Sequence, residues 1–167
     1  MGLTQGLDNI SAALDAEQQN LASHYGITRD EYHFVDGSGG GDTSAINRAV
    51  TQMLADMIPS PTFQTYFNAM PSLGVDGSLS FVKDFQSDPS LAGATGQVRA
   101  KPGSLVVAYR TSIVLEGQAL ADYIETKSGK QLVFQLVVNN VPLTSINGVF
   151  QVFQDEGKIT AILWRHH

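Results

Sequence analysis

Apolar residues recur at helical spacing in three stretches of the amino-terminal half of the chain. The first covers residues 7 to 25 and ends at Gly26, a residue that favours helix C-termini. The second covers residues 44 to 58 and ends before a proline, which cannot continue a helix. A shorter apolar stretch at residues 63 to 67 stops before Pro71. We therefore predict three helices in this half.

Polar and glycine-rich sequence separates these helices. Residues 31 to 35 alternate between polar and apolar side chains and predict a short strand, which runs directly into a turn of sequence Asp36-Gly37-Ser38-Gly39-Gly40-Gly41. The next residues offer side-chain oxygens that can cap the second helix: Asp42, Thr43 and Ser44. After the third helix, residues 72 to 95 are rich in Gly, Ser, Asp and Pro, which predicts mostly loop.

The second half of the chain is rich in β-branched and other apolar side chains. Residues 98 to 108, 119 to 125 and 131 to 138 predict strands. The last two are joined by Lys127-Ser128-Gly129-Lys130, a sequence suited to a hairpin turn. We therefore expect these two strands to be antiparallel neighbours.

A closing helix is expected after Pro142. Ser145 can cap its start, and its apolar face comprises Ile146, Val149, Phe150 and Phe153. We expect the helix to continue past Gly157, at a cost of about 1 kcal/mol relative to alanine. Helices first, an antiparallel sheet second and a helix last predict an α+β fold. The length predicts a single domain over residues 1–167.

Composition excludes several classes of function. Sixteen acidic against ten basic residues give a formal charge of -6, and the basic residues are scattered, which argues against a nucleic-acid partner. No stretch approaches the roughly 20 apolar residues of a membrane helix, and the first six residues lack the charged-then-apolar pattern of a signal peptide. The chain has no cysteine, which excludes disulfides and thiolate metal sites.

Histidine content argues against a metal site. His166 and His167 are terminal and resemble the remnant of a purification tag. Metal binding then rests on His24 and His33 alone, which is thin support. We therefore predict no metal site and no cofactor.

The stretch from Asp36 to Asp42 has two interpretations. Backbone N–H groups between a strand and a helix N-terminus can hold an anion. A phosphate-binding loop would also need Gly-Lys-Ser/Thr at its end, where this chain has Asp-Thr-Ser. A structural turn is therefore favoured, with both aspartates acting as helix caps.

Three short motifs match elements of serine acyl-transfer enzymes, but each has a local explanation. Ser80-Phe81-Val82-Lys83 matches Ser-x-x-Lys, in which a lysine one helical turn beyond a serine activates it, yet it lies among loop residues. Ser145-Ile146-Asn147 matches Ser-x-Asn, although its serine is better explained as a helix cap. Lys127-Ser128-Gly129 matches Lys-Thr/Ser-Gly and is better explained as a hairpin turn.

A fourth motif, Lys101-Pro102-Gly103-Ser104, lies between two stretches of strand character. A lysine at a strand edge, followed by glycine, can place a positive charge and a free backbone N–H beside a substrate carbonyl. A bulged surface strand with an ordinary lysine explains the same residues equally well. Chemistry alone leaves both interpretations open.

Taken in order, the segments 34–40, 73–79 and 96–104 resemble consecutive landmarks of the class C low-molecular-mass penicillin-binding proteins, which are D-Ala-D-Ala carboxypeptidases and endopeptidases. The structural landmarks within the first two segments are Asp36, Gly37, Ser38, Gly39, Asp76 and Gly77. Asn139-Asn140-Val141-Pro142 and the helix after it are similar to the carboxy-terminal end of that family. The resemblance runs from about Leu7 onward and implies part of a β-lactamase/transpeptidase-like fold.

The resemblance also implies a site on the fourth motif. In that family Ser-x-x-Lys, Ser-x-Asn and Lys-Thr-Gly form the catalytic site, and the first two elements occur upstream of the landmark that begins at Asp36, so they would be missing here. Lys101 would face the reacting serine and the substrate carboxylate. Gly103 would let the substrate backbone approach, and the N–H of Ser104 would be an oxyanion donor. Pro102 departs from the family's threonine and removes both a hydroxyl and an N–H.

From this resemblance we expect the carboxy-terminal part of a serine-type carboxypeptidase, located outside the cytoplasm and inactive alone. Its ligands would be a peptidoglycan stem peptide or a β-lactam. The alternative is a non-catalytic module that binds peptidoglycan or a protein partner at a degenerate site. Strand edges left open by missing segments offer a route to self-association.

Overall fold

The computed structural model describes residues 6–167. The chain divides into two compact units, the first ending at Pro59 and the second spanning Ser60–His167. The single domain expected over residues 1–167 stays a prediction.

The first unit contains two helices and a short two-stranded sheet. Helix α1 spans Ile10–Tyr25, and its start is capped by the Asn9 side chain, which accepts a hydrogen bond from the backbone N–H of Ala12 (2.8 Å). It ends at Gly26 in the left-handed conformation (φ 62°), as the sequence predicts. Strand β1 (Tyr32–His33) pairs antiparallel with β2 (Ser44–Ala45), and helix α2 follows at Asn47–Met57.

The predicted capping of α2 is wrong. Ser44 pairs with β1 instead of starting the helix, so the N-cap position falls on Ile46, which makes no side-chain hydrogen bond. Asp42 and Thr43 lie before β2, and neither side chain caps the helix. The predicted strand at 31–35 is also shorter, because residues 29 to 31 form a 3₁₀ turn.

The second unit is built on a three-stranded antiparallel sheet. Its strands are β3 (Val98–Ala108), β4 (Ile113–Glu125) and β5 (Gln131–Leu143), in the order β3-β4-β5. The bounds of β3 match the prediction, whereas β4 begins earlier and β5 ends later than expected. The β4–β5 hairpin turns at Gly129 (φ 82°), which confirms the predicted turn.

Helices cover the two faces of this sheet. Helix α3 (Phe63–Ala69) packs its aromatic rings against Tyr123, and α4 (Asn147–His166) packs against the opposite face, where Leu120 and Ile124 are buried. Helix α4 continues through Gly157, as predicted. The predicted Ser145 cap is wrong, because no side chain caps α4, and Ser145 contributes only its backbone carbonyl to Gly148.

The segment predicted as loop forms a core layer between α4 and β3. It contains three 3₁₀ turns, at residues 77–79, 84–87 and 92–94. Its apolar side chains are buried with those of α4: Leu73, Leu79, Val82, Phe85, Leu91 and Ala94. Together the helices and antiparallel sheets confirm the predicted α+β fold class.

Candidate functional site

Strand β3 forms one edge of the sheet, and its outer side is open in the middle. At its start, Val98 O accepts from Leu73 N (2.9 Å) and Ala100 N donates to Pro71 O (3.0 Å). Even-numbered residues of β3 therefore direct their backbone groups away from β4, because these directions alternate along a strand. Beyond Ala100, no backbone hydrogen bond joins β3 to anything but β4 within residues 6–167, apart from the adjoining turn at residues 109–112.

Pro102 occupies one of these outward-facing positions. Its missing N–H is thus not taken from the β3–β4 ladder, which explains why proline is accepted within a paired strand. The ring of Pro102 is buried, whereas Lys101 is exposed. The Lys101 ammonium group donates to the carbonyl of Pro102 (2.5 Å), so its charge lies along the open edge.

Gly103 and Ser104 complete the open edge. A Cβ atom added at Gly103 would meet no other atom within 4 Å, so a ligand backbone has room there. By the same alternation, the backbone N–H of Ser104 points outward. Its hydroxyl turns to the α4 face and donates to Gln118 Oε1 at 3.4 Å.

Strand β4 carries a buried carboxyl group, that of Asp122, close to the backbone N–H of Lys101. Asp122 is 1% exposed, its Oδ1 accepts from Tyr66 OH of α3 (2.8 Å), and its Oδ2 is without a partner. Burial raises the pKa of Asp122 to about 6, partly opposed by the Tyr66 bond and the backbone N–H of Lys101. Its φ of 149° is unfavourable for a residue with a side chain. Sequence reasoning missed this residue, whose only signal is an aspartate within an apolar strand.

A second buried carboxyl group, that of Glu156, is linked to Ser104 through the side chain of Gln118. Glu156 of α4 accepts from the Gln118 amide (2.9 Å), and its other oxygen has no partner. Burial raises the pKa of Glu156 to about 7. Sequence reasoning missed this pair too, although Glu156 falls on the helix face that carries Val149 and Phe153, where an acidic residue is unusual.

The glycine-rich loop of the first unit is a structural turn. Asp36 Oδ1 accepts from the backbone N–H groups of Ser38 (2.8 Å), Gly39 (3.0 Å) and Gly40 (3.3 Å). These bonds lower the pKa of Asp36, and they occupy the N–H groups that an anion would need. Asp36 therefore caps its own loop instead of a helix.

Ser80 and Lys83 do not have the helical geometry of a Ser-x-x-Lys nucleophile motif. Ser80 ends the 3₁₀ turn at residues 77–79, and Lys83 donates its backbone N–H to Gln154 of α4 (2.9 Å). The two residues therefore do not share a helix face. Nearby, Asp76 accepts from Ser72 N (2.8 Å) and Gly77 has a φ of 54°, so this landmark is a turn.

The two other short motifs also lie away from the open edge. Ser128 belongs to the β4–β5 turn and donates to the terminal carbonyl of His167. Ser145 precedes α4 and is exposed. Neither serine is brought to Lys101 by this fold.

The described part of the chain contains no candidate metal centre and no candidate membrane span. Residues 6–167 bring together no group of three His, Asp or Glu side chains able to hold a metal ion. Among the same residues, no helix has the length and apolar content needed to cross a bilayer.

Comparisons place the chain beside one protein family. A family model described as D-Ala-D-Ala carboxypeptidase 3 (S13) matches residues 4–152. Among solved structures, penicillin binding protein 4 (dacB) from Haemophilus influenzae is similar, with a TM-score of 0.63 and 19% sequence identity. The match covers 93% of this chain and 32% of that chain, so this chain spans about a third of its length. No curated protein sequence matched.

Proposed function

Because this chain belongs to the D-Ala-D-Ala carboxypeptidase 3 (S13) family, we propose that it supplies the sheet-edge side of a site for peptides ending in D-Ala-D-Ala. The supporting observation is the open outer edge of β3 at residues 101–104. The same edge would accept a β-lactam, whose amide resembles that of the peptide. The peptides belong to peptidoglycan, which puts the site outside the cytoplasm.

Three residues of this edge have distinct proposed roles. The exposed ammonium group of Lys101 attracts the carboxylate at the end of the peptide. The open space at Gly103 lets the peptide backbone lie against the strand. The outward N–H of Ser104 donates to the carbonyl oxygen and would stabilise an oxyanion there.

Hydrolysis needs an activated nucleophile, and none of the three short serine motifs brings its serine to this edge. Ser80 is separated from a Ser-x-x-Lys geometry, and the serines of the other two motifs lie elsewhere. We therefore propose that the chain is the carboxy-terminal part of a serine carboxypeptidase and that these residues alone do not cleave peptides.

A fluorescent β-lactam tests this function, because penicillin-binding enzymes form a covalent acyl-serine with it. We expect no covalent label and no mass increase on the purified chain, while an intact penicillin-binding enzyme labels fully in parallel. A stable adduct mapped by mass spectrometry to Ser80 would overturn the assignment, since it would place a working nucleophile within this chain.

A second function is favoured by Pro102. Proline has no backbone N–H, so position 102 cannot donate a hydrogen bond to a ligand at the edge. The β3–β4 ladder does not use this N–H, so we expect the change to weaken catalysis more than folding. A non-catalytic module that binds peptidoglycan or a protein partner at the same edge would tolerate proline at this position, because it does not need the lost donor for catalysis. The encoded sequence upstream of Met1 separates the two functions, because a Ser-x-x-Lys helix there favours the carboxypeptidase.

A further inference from the structure

Three polar side chains from three elements form a hydrogen-bonded series from the open edge to the interior. Ser104 Oγ of β3 donates to Gln118 Oε1 of β4 (3.4 Å), and Gln118 Nε2 donates to Glu156 Oε2 of α4 (2.9 Å). Gln118 is fully buried and Glu156 is 1% exposed. The remaining carboxylate oxygen of Glu156, Oε1, has no partner.

The chemistry of the two interior groups fixes the direction of these bonds. An ionised carboxylate only accepts, so Gln118 must turn its NH₂ group to Glu156 and its carbonyl oxygen to Ser104. The Ser104 hydroxyl then donates inward. A protonated Glu156 can instead donate to Gln118 Oε1, and the amide, rotated by half a turn, donates to Ser104 Oγ. The Ser104 hydroxyl proton is then free for an acceptor outside the sheet.

We propose that the protonation state of Glu156 sets, through Gln118, whether the Ser104 hydroxyl donates into the protein or is available to a ligand. Gln118 and Glu156 are positioning residues for Ser104. The step that concerns a ligand rests on the proposed function, whereas the coupling among the three side chains does not.

The surroundings of Glu156 make it the titrating member of the series. Burial raises its pKa to about 7, so both protonation states are populated near neutral pH, and no neighbouring charge contributes to this shift. Strand β5 and residues 92–94, which pack against α4, carry no charged side chain. The titratable and charged residues on the other elements packed against α4 are Asp84, Arg99, Lys101, Glu116, Asp122, Tyr123 and Glu125.

Nuclear magnetic resonance of the whole chain tests the coupling. We expect the amide and Cβ resonances of Ser104 to titrate with a midpoint close to 7. The titration should be lost in Glu156→Gln, because glutamine has the same shape as glutamate but does not ionise. It should also be lost in Gln118→Met, because methionine cannot make either hydrogen bond. It is kept in Asp155→Asn, the matched control at the exposed neighbour of Glu156.

Two outcomes overturn the coupling: Ser104 resonances that stay constant from pH 5 to pH 9, or a titration that survives in Glu156→Gln. The isosteric Glu156→Gln keeps the test decisive even where Gln118→Met fails to fold. A titration that disappears in Glu156→Gln but survives in a folded Gln118→Met rules out Gln118 as the connection.

Ligand binding separates this proposal from the proposed function. For a peptide ending in D-Ala-D-Ala, we expect binding about fivefold tighter at pH 6 than at pH 8, the worth of one hydrogen bond, and a smaller difference in Glu156→Gln, in which Asp122 still titrates. No binding at either pH, with the Ser104 titration intact, would reject the proposed function and leave the coupling standing. Equal affinities at pH 6 and pH 8 would reject the regulatory step alone.

Discussion

Replacing Gly157 by alanine destabilises the Ser60–His167 unit by about 2 kcal/mol, although the same change in an exposed helix stabilises by about 1 kcal/mol. The added methyl group would overlap Val82 Cγ1 and lie 3.3 Å from Leu73 Cδ1. Both side chains are fully buried, so neither can move aside without disturbing the core. Chemical denaturation of the wild-type and variant chains measures the change in the free energy of unfolding and checks its sign.

Gly148→Ala is the matched control for this prediction. Gly148 lies in the first turn of the same helix, and its added methyl would meet the end of Leu143, a flexible and only partly buried side chain, at 2.8 Å. We expect it to change stability by less than about 1 kcal/mol. Val82→Ala should destabilise the Gly157→Ala protein less than it destabilises the wild type, because it removes the overlapping atom. A Gly157→Ala protein as stable as the wild type would contradict the close approach of α4 to Val82 and Leu73.

Replacing Glu156 by glutamine changes how stability depends on pH. The pKa of Glu156 is raised from 4.5 to about 7, so the folded state holds its proton more tightly than the unfolded state. Stability from this group is therefore full below pH 4.5 and is lost as the pH rises through 7. Glutamine does not titrate, so the advantage of Glu156→Gln over the wild type should grow by roughly 2 to 3 kcal/mol between pH 5 and pH 8.

Urea denaturation at a series of pH values measures this effect, with Asp155→Asn as the control that keeps the wild-type dependence. Asp122 titrates in the same direction, with a pKa raised to about 6, but it is present in all three proteins and cancels in the comparison. An advantage of Glu156→Gln that stays constant from pH 5 to pH 8 would mean that Glu156 is not held protonated by burial.

The strand that carries the candidate site could be predicted because its pattern is local. Residues 98–108 are rich in β-branched side chains, and the bounds of β3 match the prediction. The early start of β4 could not be predicted in the same way, because Glu116 and Gly117 interrupt its apolar pattern. The structure accommodates them with a register shift opposite Leu105 and Val106.

Helix caps were predicted poorly because a nearby polar side chain has several possible partners. Ser44 is drawn into pairing with β1, and Asp36 satisfies the N–H groups of its own loop. Both outcomes depend on competing bonds that residue type alone does not rank.

The buried part of the candidate site could not be predicted because it exists only after folding. Gln118 and Glu156 are 38 residues apart, and Tyr66 and Asp122 are 56 residues apart. Each pair is joined by the packing of a helix onto the sheet, and no short motif marks it. A polar residue on an otherwise apolar face is the signal that such pairs leave in a sequence.

Residues 101–104 of β3 are proposed to contact the ligand, and amide chemical shifts measured during titration with an acylated D-Ala-D-Ala peptide test this contact most directly. We expect the largest changes to fall on the amides of Lys101, Gly103 and Ser104. These changes should disappear in Lys101→Ala and persist in Lys127→Ala, a control in the β4–β5 turn. Changes centred elsewhere, or changes at β3 that Lys101→Ala leaves intact, would contradict the proposed contact.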